Sequence, residues 1–449
     1  MRIKAATGIA VLFLCGILTG VIDGETSLQV SENSREQKWS EDLDMLAEQL
    51  PQKHKNLFFK ISQTEFHSKL EKLEGSIPGL DDDEIKVELM KILASVGDSH
   101  TQMVLHSAKI FPVKFYWFQE GIHVIYTTKD YQEILHQKLI GIEDMDIEAA
   151  IERLSSVIAF ENQSQLKHRL PNLLFRLDVL YGLHIIQDDK EKARFVFSDK
   201  SQRRTERTIF SMSVKENPEP IGLPHNRPLP LYMRNANKFF WVEYLDEEQT
   251  LYFKYNVCRN MSGLTVQKFI EDLLEFMESH PVLRLVVDLR NNGGGNSNLL
   301  MPFITSLKER KQINQKGRLY VVVGRQTFSS AVLNALAFQN GTEAVFVGEP
   351  TGGKPNHFGE VKGFMLKNSK IGIQYSTKYF THSKEDTSSF NPDVLIKPSI
   401  RDYLEYRDPV LEYILNQELE PDSNETGADE SVYLAVSFSW ELRRLCISS

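Results

Sequence analysis

The segment Leu285-Val-Val-Asp-Leu-Arg-Asn-Asn-Gly-Gly-Gly-Asn296 constrains the fold more than any other part of this chain. An apolar run of strand length is released into a glycine triplet, so a buried strand must end in a turn whose backbone amides can approach another group closely. Two later segments have the same form, an apolar run followed by a turn. Thr327-Phe-Ser-Ser-Ala331 offers a hydroxyl, and Gly348-Glu-Pro-Thr-Gly-Gly-Lys-Pro-Asn356 offers an amine between glycines that let the chain pack tightly. Together they read as a serine hydrolase site assembled from three turns of one α/β sheet.

The pattern around these turns alternates. Residues 249–255 read as a strand, and residues 265–279 as a helix with Val266, Phe269, Ile270, Leu273, Leu274 and Met277 on one face. Strands follow at 283–289, 319–323 and 344–347, with helices after Asn298 and over 330–338, which implies a sheet layered with helices.

The N-terminal half is built differently. Met1-Arg-Ile-Lys4 puts two positive charges before an apolar stretch over about 9–22, which reads as a secretory signal peptide or N-terminal anchor occupying 1–24. Export is expected either way, and membrane association through this segment only. Leu14 before Cys15 argues against a lipoprotein signal. A polar leader is expected over 25–38, then a helical domain over 39–100, where Leu43, Leu46, Leu50, Ile85, Leu89, Ile92 and Leu93 recur at helical spacing. Residues 101–215 read as a β-rich lobe. Within it 148–158 is predicted helical, and 138–147 has the strand-turn-helix form of half a PDZ module. Five prolines between 216 and 231 mark a linker or wrapping loop, 232–417 is the expected catalytic core, and 418–449 is an acidic tail.

The net charge of −9 without a concentrated basic face excludes a nucleic-acid partner. Beyond the signal only Cys258 and Cys446 remain, too few for a disulfide framework or a zinc site, and Cys258 is expected as an unpaired core thiol. No His-Glu-x-x-His occurs among the twelve histidines, and the glycine triplet lacks both the phosphate-loop and the dinucleotide patterns. No metal or cofactor is expected.

The order strand-Asp-Leu-Arg-Asn-Asn-Gly-Gly-Gly, then Ser329, then Gly-Glu-x-Thr-x-Gly-Lys354, resembles the carboxyl-terminal-processing and tricorn-like serine peptidases of the S41 family. Gly97-Asp-Ser-His-Thr101 is similar to a motif that those peptidases carry upstream. The resemblance spans about 251–392. It implies an α/β fold with a crotonase-like ββα superhelix core, a peptidase activity and a peptide or unfolded-protein substrate.

It also assigns roles. Ser329 matches the nucleophile, at the start of a helix whose amides favour a developing oxyanion; helix capping is the competing use of a serine there, and Ser330 is the fallback nucleophile. The amide of Ser330 and that of Gly293 or Gly294 would form the oxyanion hole. Lys354 stands at the general-base position of the processing branch, and burial would have to lower its pKa for that role. His100 matches the histidine of the tricorn-like branch, with Ser99 supporting it and Asp386, or Glu385 beside it, as the acidic member. The processing branch carries a glutamate three residues after the nucleophile; here that position is Val332, which weakens the lysine arrangement. The base is thus His100 or Lys354. Asp288 and Arg290 read as a structural pair holding the glycine turn, and His357 as a site wall or surface residue. The expectation is an exported serine endopeptidase acting through an acyl-enzyme. The alternatives are a catalytically silent peptide-binding scaffold of the same fold, or a serine esterase or acyl transferase.

Overall fold

The computed structural model describes residues 34–419 apart from 188–189, 217 and 225. The expected signal at 1–24, most of the leader and most of the acidic tail therefore lie outside the described residues. The end of the expected leader is helical. Helix Arg35–Lys53 begins with a capping box in which Ser34 accepts from the Gln37 amide while the Gln37 side chain accepts from Ser34. That serine and glutamine, three apart before the apolar stripe of Trp39, Leu43, Leu46 and Leu50, start the helix inside what composition marks as a leader.

Helices Gln63–Ser76 and Asp82–Val96 complete the N-terminal cluster. Gly97, at φ 78°, ends the last of them in a left-handed cap. The middle lobe holds an antiparallel sheet in the order Lys114–Phe118, Gly121–Tyr126, Lys138–Ile142, Lys192–Ser198, Arg204–Phe210. It is less purely β than its alternating patterns imply. Helix Ile147–Ser155 falls where predicted, but Gln163–Arg169 and Leu177–Gly182 are helices too short for their periodicity to stand out. The last of these packs on Asp82–Val96 so closely that a Cβ on Gly182 would lie 2.6 Å from the Asp83 carbonyl oxygen. The helical segment and the lobe consequently share one core, with Leu46, Leu89, Leu139, Leu180 and Phe195 in a single buried cluster.

The second half is mixed α/β. Its six-stranded sheet runs Phe240–Leu245, Thr250–Tyr255, Arg284–Asp288, Leu319–Val323, Val345–Gly348, Val394–Leu395; the first pair is antiparallel and every later pair parallel. Arg284–Asp288 and Leu319–Val323 are buried at every position, as strands covered on both faces must be. One face lies under helices Val266–Ser279, Met301–Glu309 and Ser330–Gly341, and the other under Pro409–Leu415. The proline-rich segment wraps rather than links: Ile221 pairs with Thr127, and Leu223 is buried beside Phe118 and Tyr403.

A long hairpin, His357–Met365 with Gly372–Phe380, leaves this sheet and joins the N-terminal half. Its second strand pairs with Gln102–Met103, and Ile373 and Tyr375 belong to the N-terminal core. That pairing carries the Gly97–Thr101 turn to the C-terminal ends of the parallel strands. No helix among the described residues is long and apolar enough to cross a membrane.

Candidate active site

The site is scaffolded from below by charge. Asp288, at the end of its strand and fully buried, receives the Tyr252 hydroxyl at 2.5 Å and pairs with Lys254 at 3.0 Å and Arg290 Nε at 2.9 Å. Arg290 in turn grips Asp408 through both terminal nitrogens, at 2.8 and 2.9 Å. Burial works against the Asp288 carboxylate, but Arg290, Lys254 and the Tyr252 hydroxyl outweigh it and hold the pKa at about 2. Burial likewise pulls Lys254 down to about 8 against the attraction of Asp288. Asp288 and Arg290 are therefore structural, and the network includes a lysine that the sequence does not single out.

Above it the glycine triplet turns back on itself. Asn292 holds the turn, its Oδ1 accepting the Gly294 amide at 2.9 Å and its Nδ2 donating to the Tyr255 carbonyl at 2.8 Å. Gly294, at φ 106°, presses on the nucleophile segment: a Cβ there would stand 2.9 Å from Ser329 Cβ and 3.1 Å from the Ser330 nitrogen. Asn292 thus occupies the Gly294 amide.

Ser329 sits between the strand Leu319–Val323 and the helix Ser330–Gly341 with φ 52° and ψ −126°, a conformation few residues other than glycine adopt. The turn is held by Thr327, whose hydroxyl donates to the Leu289 carbonyl at 2.8 Å and accepts the Gly324 amide at 3.0 Å. The Ser329 hydroxyl makes no capping bond to the helix, so capping is not its role. Ser330 is committed elsewhere, its hydroxyl donating to the Gly295 carbonyl at 2.7 Å. The turn at Gly353 closes the other side, where a Cβ would lie 3.1 Å from the Ser329 nitrogen and 2.9 Å from Val332. Cys258, under the triplet, is buried and unpaired, and burial pushes its thiol up to about 12.

His100 lies over the residue preceding the nucleophile. Its ring stacks on Phe328 with centroids 4.4 Å apart and faces His357 at 5.8 Å, while Arg169 covers Phe328 at 5.5 Å and donates to the Ser99 carbonyl at 2.9 Å. Asp98 fixes the turn. It takes the His100 amide at 3.0 Å, the Thr101 hydroxyl at 2.6 Å and the Ser376 hydroxyl at 2.7 Å, and lies 3.1 Å from His54 Nε2. Burial opposes its charge, but hydrogen bonding to His100 and His54 holds the carboxyl far below the usual range. Its nearer oxygen is 3.7 Å from His100 Nδ1.

Lys354 belongs to the turn beside His357, its carbonyl 2.8 Å from His357 Nδ1. Lys354 extends to Asp386, with Nζ 3.0 Å from the carboxylate and the aspartate side chain 61% exposed. Glu385 is also exposed. Among the described residues no hydrogen bond or ion pair joins either downstream acid to His100, and both are exposed. Val332 is buried against Gly353 and offers Lys354 no support.

A carboxylate absent from the sequence reading lies on the other side. Glu161 ends the apolar run Val157-Ile-Ala-Phe160, just before the helix cap Asn162, whose side-chain amide donates to the carbonyls of Thr351, Gly352 and Ser388. Burial pushes the Glu161 carboxyl pKa up and Asp98 adds to this, opposed by His100, Lys354 and the Ser99 hydroxyl. Glu161 Oε2, Ser99 Oγ and both ring nitrogens of His100 are buried without a hydrogen-bond partner. The signal in the sequence is an acid closing an apolar run beside a capping asparagine. Among the described residues no group of acids, histidines and cysteines could hold a metal ion.

The fold resembles that of solved structures at low sequence identity. It is similar to mature CPAF in complex with lactacystin at 11% identity, with a TM-score of 0.58 and coverage of 84% of this chain and 97% of that one. Mature CPAF alone aligns at 10% identity with a TM-score of 0.57, covering 84% and 96% of the two chains. The photosystem II D1 C-terminal processing protease aligns over 81% of this chain and 94% of its own, at 13% identity and a TM-score of 0.36. No protein-family model and no curated sequence matches the chain.

Proposed function

We propose that the protein is an exported serine endopeptidase whose nucleophile is Ser329 and whose general base is His100, acting on peptides or unstructured protein segments. The observation that carries this reading is the conformation of Ser329: a non-glycine residue at φ 52°, its hydroxyl unused by the helix it precedes, directly after Phe328, on which the His100 ring stacks. A serine so placed has its proton available to a base, and an uncommitted imidazole is suited to take it.

Lys354 is less suited to that task. Its Nζ is already engaged by the Asp386 carboxylate at 3.0 Å, directed at an acid rather than at the serine. His100, in contrast, is held from below by Asp98 and stacked on Phe328, and Glu161 supplies a buried acid on the Ser99 side. In the mechanism Ser329 Oγ attacks the scissile carbonyl as His100 takes its proton, and the Gly293 and Ser330 amides receive the oxyanion. The imidazolium, stabilised by Asp98 and Glu161, then protonates the leaving amine, and water repeats the cycle on the acyl-enzyme. The alternating strand and helix units from Thr250 to Gly348 support the crotonase-like ββα superhelix as the arrangement of the core.

The test is covalent labelling by a fluorophosphonate followed by cleavage of an unstructured peptide library read by mass spectrometry. Labelling at Ser329 with peptide turnover supports the peptidase. No labelling of folded protein leaves the silent scaffold, and labelling with ester but not peptide turnover leaves the esterase.

A further inference from the structure

A second cavity lies beyond the nucleophile turn, between the middle lobe and the C-terminal ends of the parallel strands, with a volume of about 470 Å³. That is within the roughly 300–1,000 Å³ of small-molecule sites. Neither Ser329 nor His100 lines it. Its body is aromatic, with Phe115, Tyr116, Phe175, Tyr232 and Tyr403 on the walls.

The charges on those walls do not balance. Glu349 is taken by Arg325, at 2.9 and 2.7 Å, Asp408 by Arg290 at 2.8 Å, and Asp402 by the Ser399 helix cap. Two lysines are left over, Lys114, which lies over the Tyr126 ring at 5.9 Å, and Lys167. Lys167 lies over the Trp117 ring at 5.7 Å, and among the described residues no carboxylate pairs with it. Burial lowers its pKa first, and the like charges of Arg325 and Lys397 lower it further, with Glu349 opposing them. A cation in that position gains most from an opposite charge that arrives with its own apolar body to fill the cavity.

We propose that this cavity is a binding site for a small carboxylate with an aromatic or apolar body, the carboxylate on Lys167 and the body among the tyrosine and phenylalanine rings. The inference is independent of the peptidase reading, since it concerns a separate cavity and is read by binding alone.

The experiment is calorimetric titration of the full chain with 4-phenylbutyrate and with its neutral counterpart 4-phenylbutanamide. The acid is expected to bind at least about tenfold more tightly than the amide, the worth of one charge-assisted hydrogen bond. Lys167→Gln should bring the acid down to the level of the amide, while Lys167→Arg should stay within about threefold of the parent. Equal binding of acid and amide, no binding of either up to about 10 mM, or unchanged acid binding in Lys167→Gln would overturn the proposal. Should Lys167→Gln fail to fold, the acid-amide contrast in the parent still decides.

Discussion

Adding one methyl group to the middle glycine of the triplet should disable the site, and adding it to the first should not. At Gly294 a new Cβ meets Ser329 Cβ at 2.9 Å, the Phe328 carbonyl oxygen at 3.0 Å and the Ser330 nitrogen at 3.1 Å, and the backbone is at φ 106°. The conformational strain is about 1–3 kcal/mol, and relieving three tight contacts in a packed turn adds about 1–3 kcal/mol. Gly294→Ala should thus lose about 2–6 kcal/mol of stability if the turn holds its shape. If the turn yields instead, Ser329 and the Ser330 amide move together and reactivity is lost. At Gly293 the space is open, with nothing within 4 Å and no positive φ. Gly293→Ala should therefore match the parent in stability, with its amide still able to serve an oxyanion. Urea denaturation midpoints and the rate of fluorophosphonate labelling measure both effects. A Gly294→Ala protein with parental stability and parental labelling would refute the view that the triplet exists to admit the nucleophile turn.

Ser329→Ala should abolish labelling at nearly unchanged stability, whereas Ser330→Ala should keep labelling and lose about 1 kcal/mol with its bond to Gly295; labelling lost in Ser330→Ala alone would transfer the role. His100→Ala should slow peptide hydrolysis by at least about 100-fold, and Lys354→Ala, which breaks a partly exposed ion pair, by far less; the reverse order would move the base to lysine. Glu161→Gln should lower kcat at nearly constant KM in the parent and have no further effect in a His100→Ala background, since an acid acting through the imidazole has nothing left to act on. The pH dependence of stability should show His357, which burial, aided by the His100 charge, pulls down to about 4. Its folded pKa lies below the unfolded value near 6.5, so its contribution is intact above that value and is lost as the pH falls towards 4. Urea midpoints at pH 7 and 4.5 should differ more in the parent than in His357→Gln, by on the order of 2 kcal/mol; equal differences would show that the histidine does not report burial.

The central strands of the C-terminal sheet are legible in the chain because Arg284–Asp288, Leu319–Val323 and Val345–Gly348 are largely apolar and each leads into a glycine-bearing turn. Strand Arg284–Asp288 and helix Val266–Ser279 fall where period and punctuation put them. The N-terminal half is less legible, for two physical reasons. Short helices such as Gln163–Arg169 depend on a capping residue and tertiary packing rather than on several turns of periodicity. The shared core depends on the hairpin His357–Met365 and Gly372–Phe380 crossing between halves, a pairing that local pattern does not encode.

The site divides along the same line. The positions of Ser329, Gly293 and the Asp288–Arg290 pair are local matters, each set by its own strand and turn. The acid proposed to act with His100 is not a local matter, since it depends on which loop docks beside the imidazole. The downstream acids occupy a loop that folds outward, where Asp386 finds Lys354. The inner position is filled from the opposite direction, by a loop that Asn162 ties to the carbonyls of Thr351 and Gly352. That tie connects the two candidate bases: the same turn that carries Lys354 outward to Asp386 anchors the loop that brings Glu161 inward. Asn162→Ala should therefore reduce peptide hydrolysis, without touching substrate, by loosening Glu161, and should do so much less in a Glu161→Gln background. Equal losses in both backgrounds would mean that Asn162 supports the Gly352–Gly353 turn itself rather than the acid.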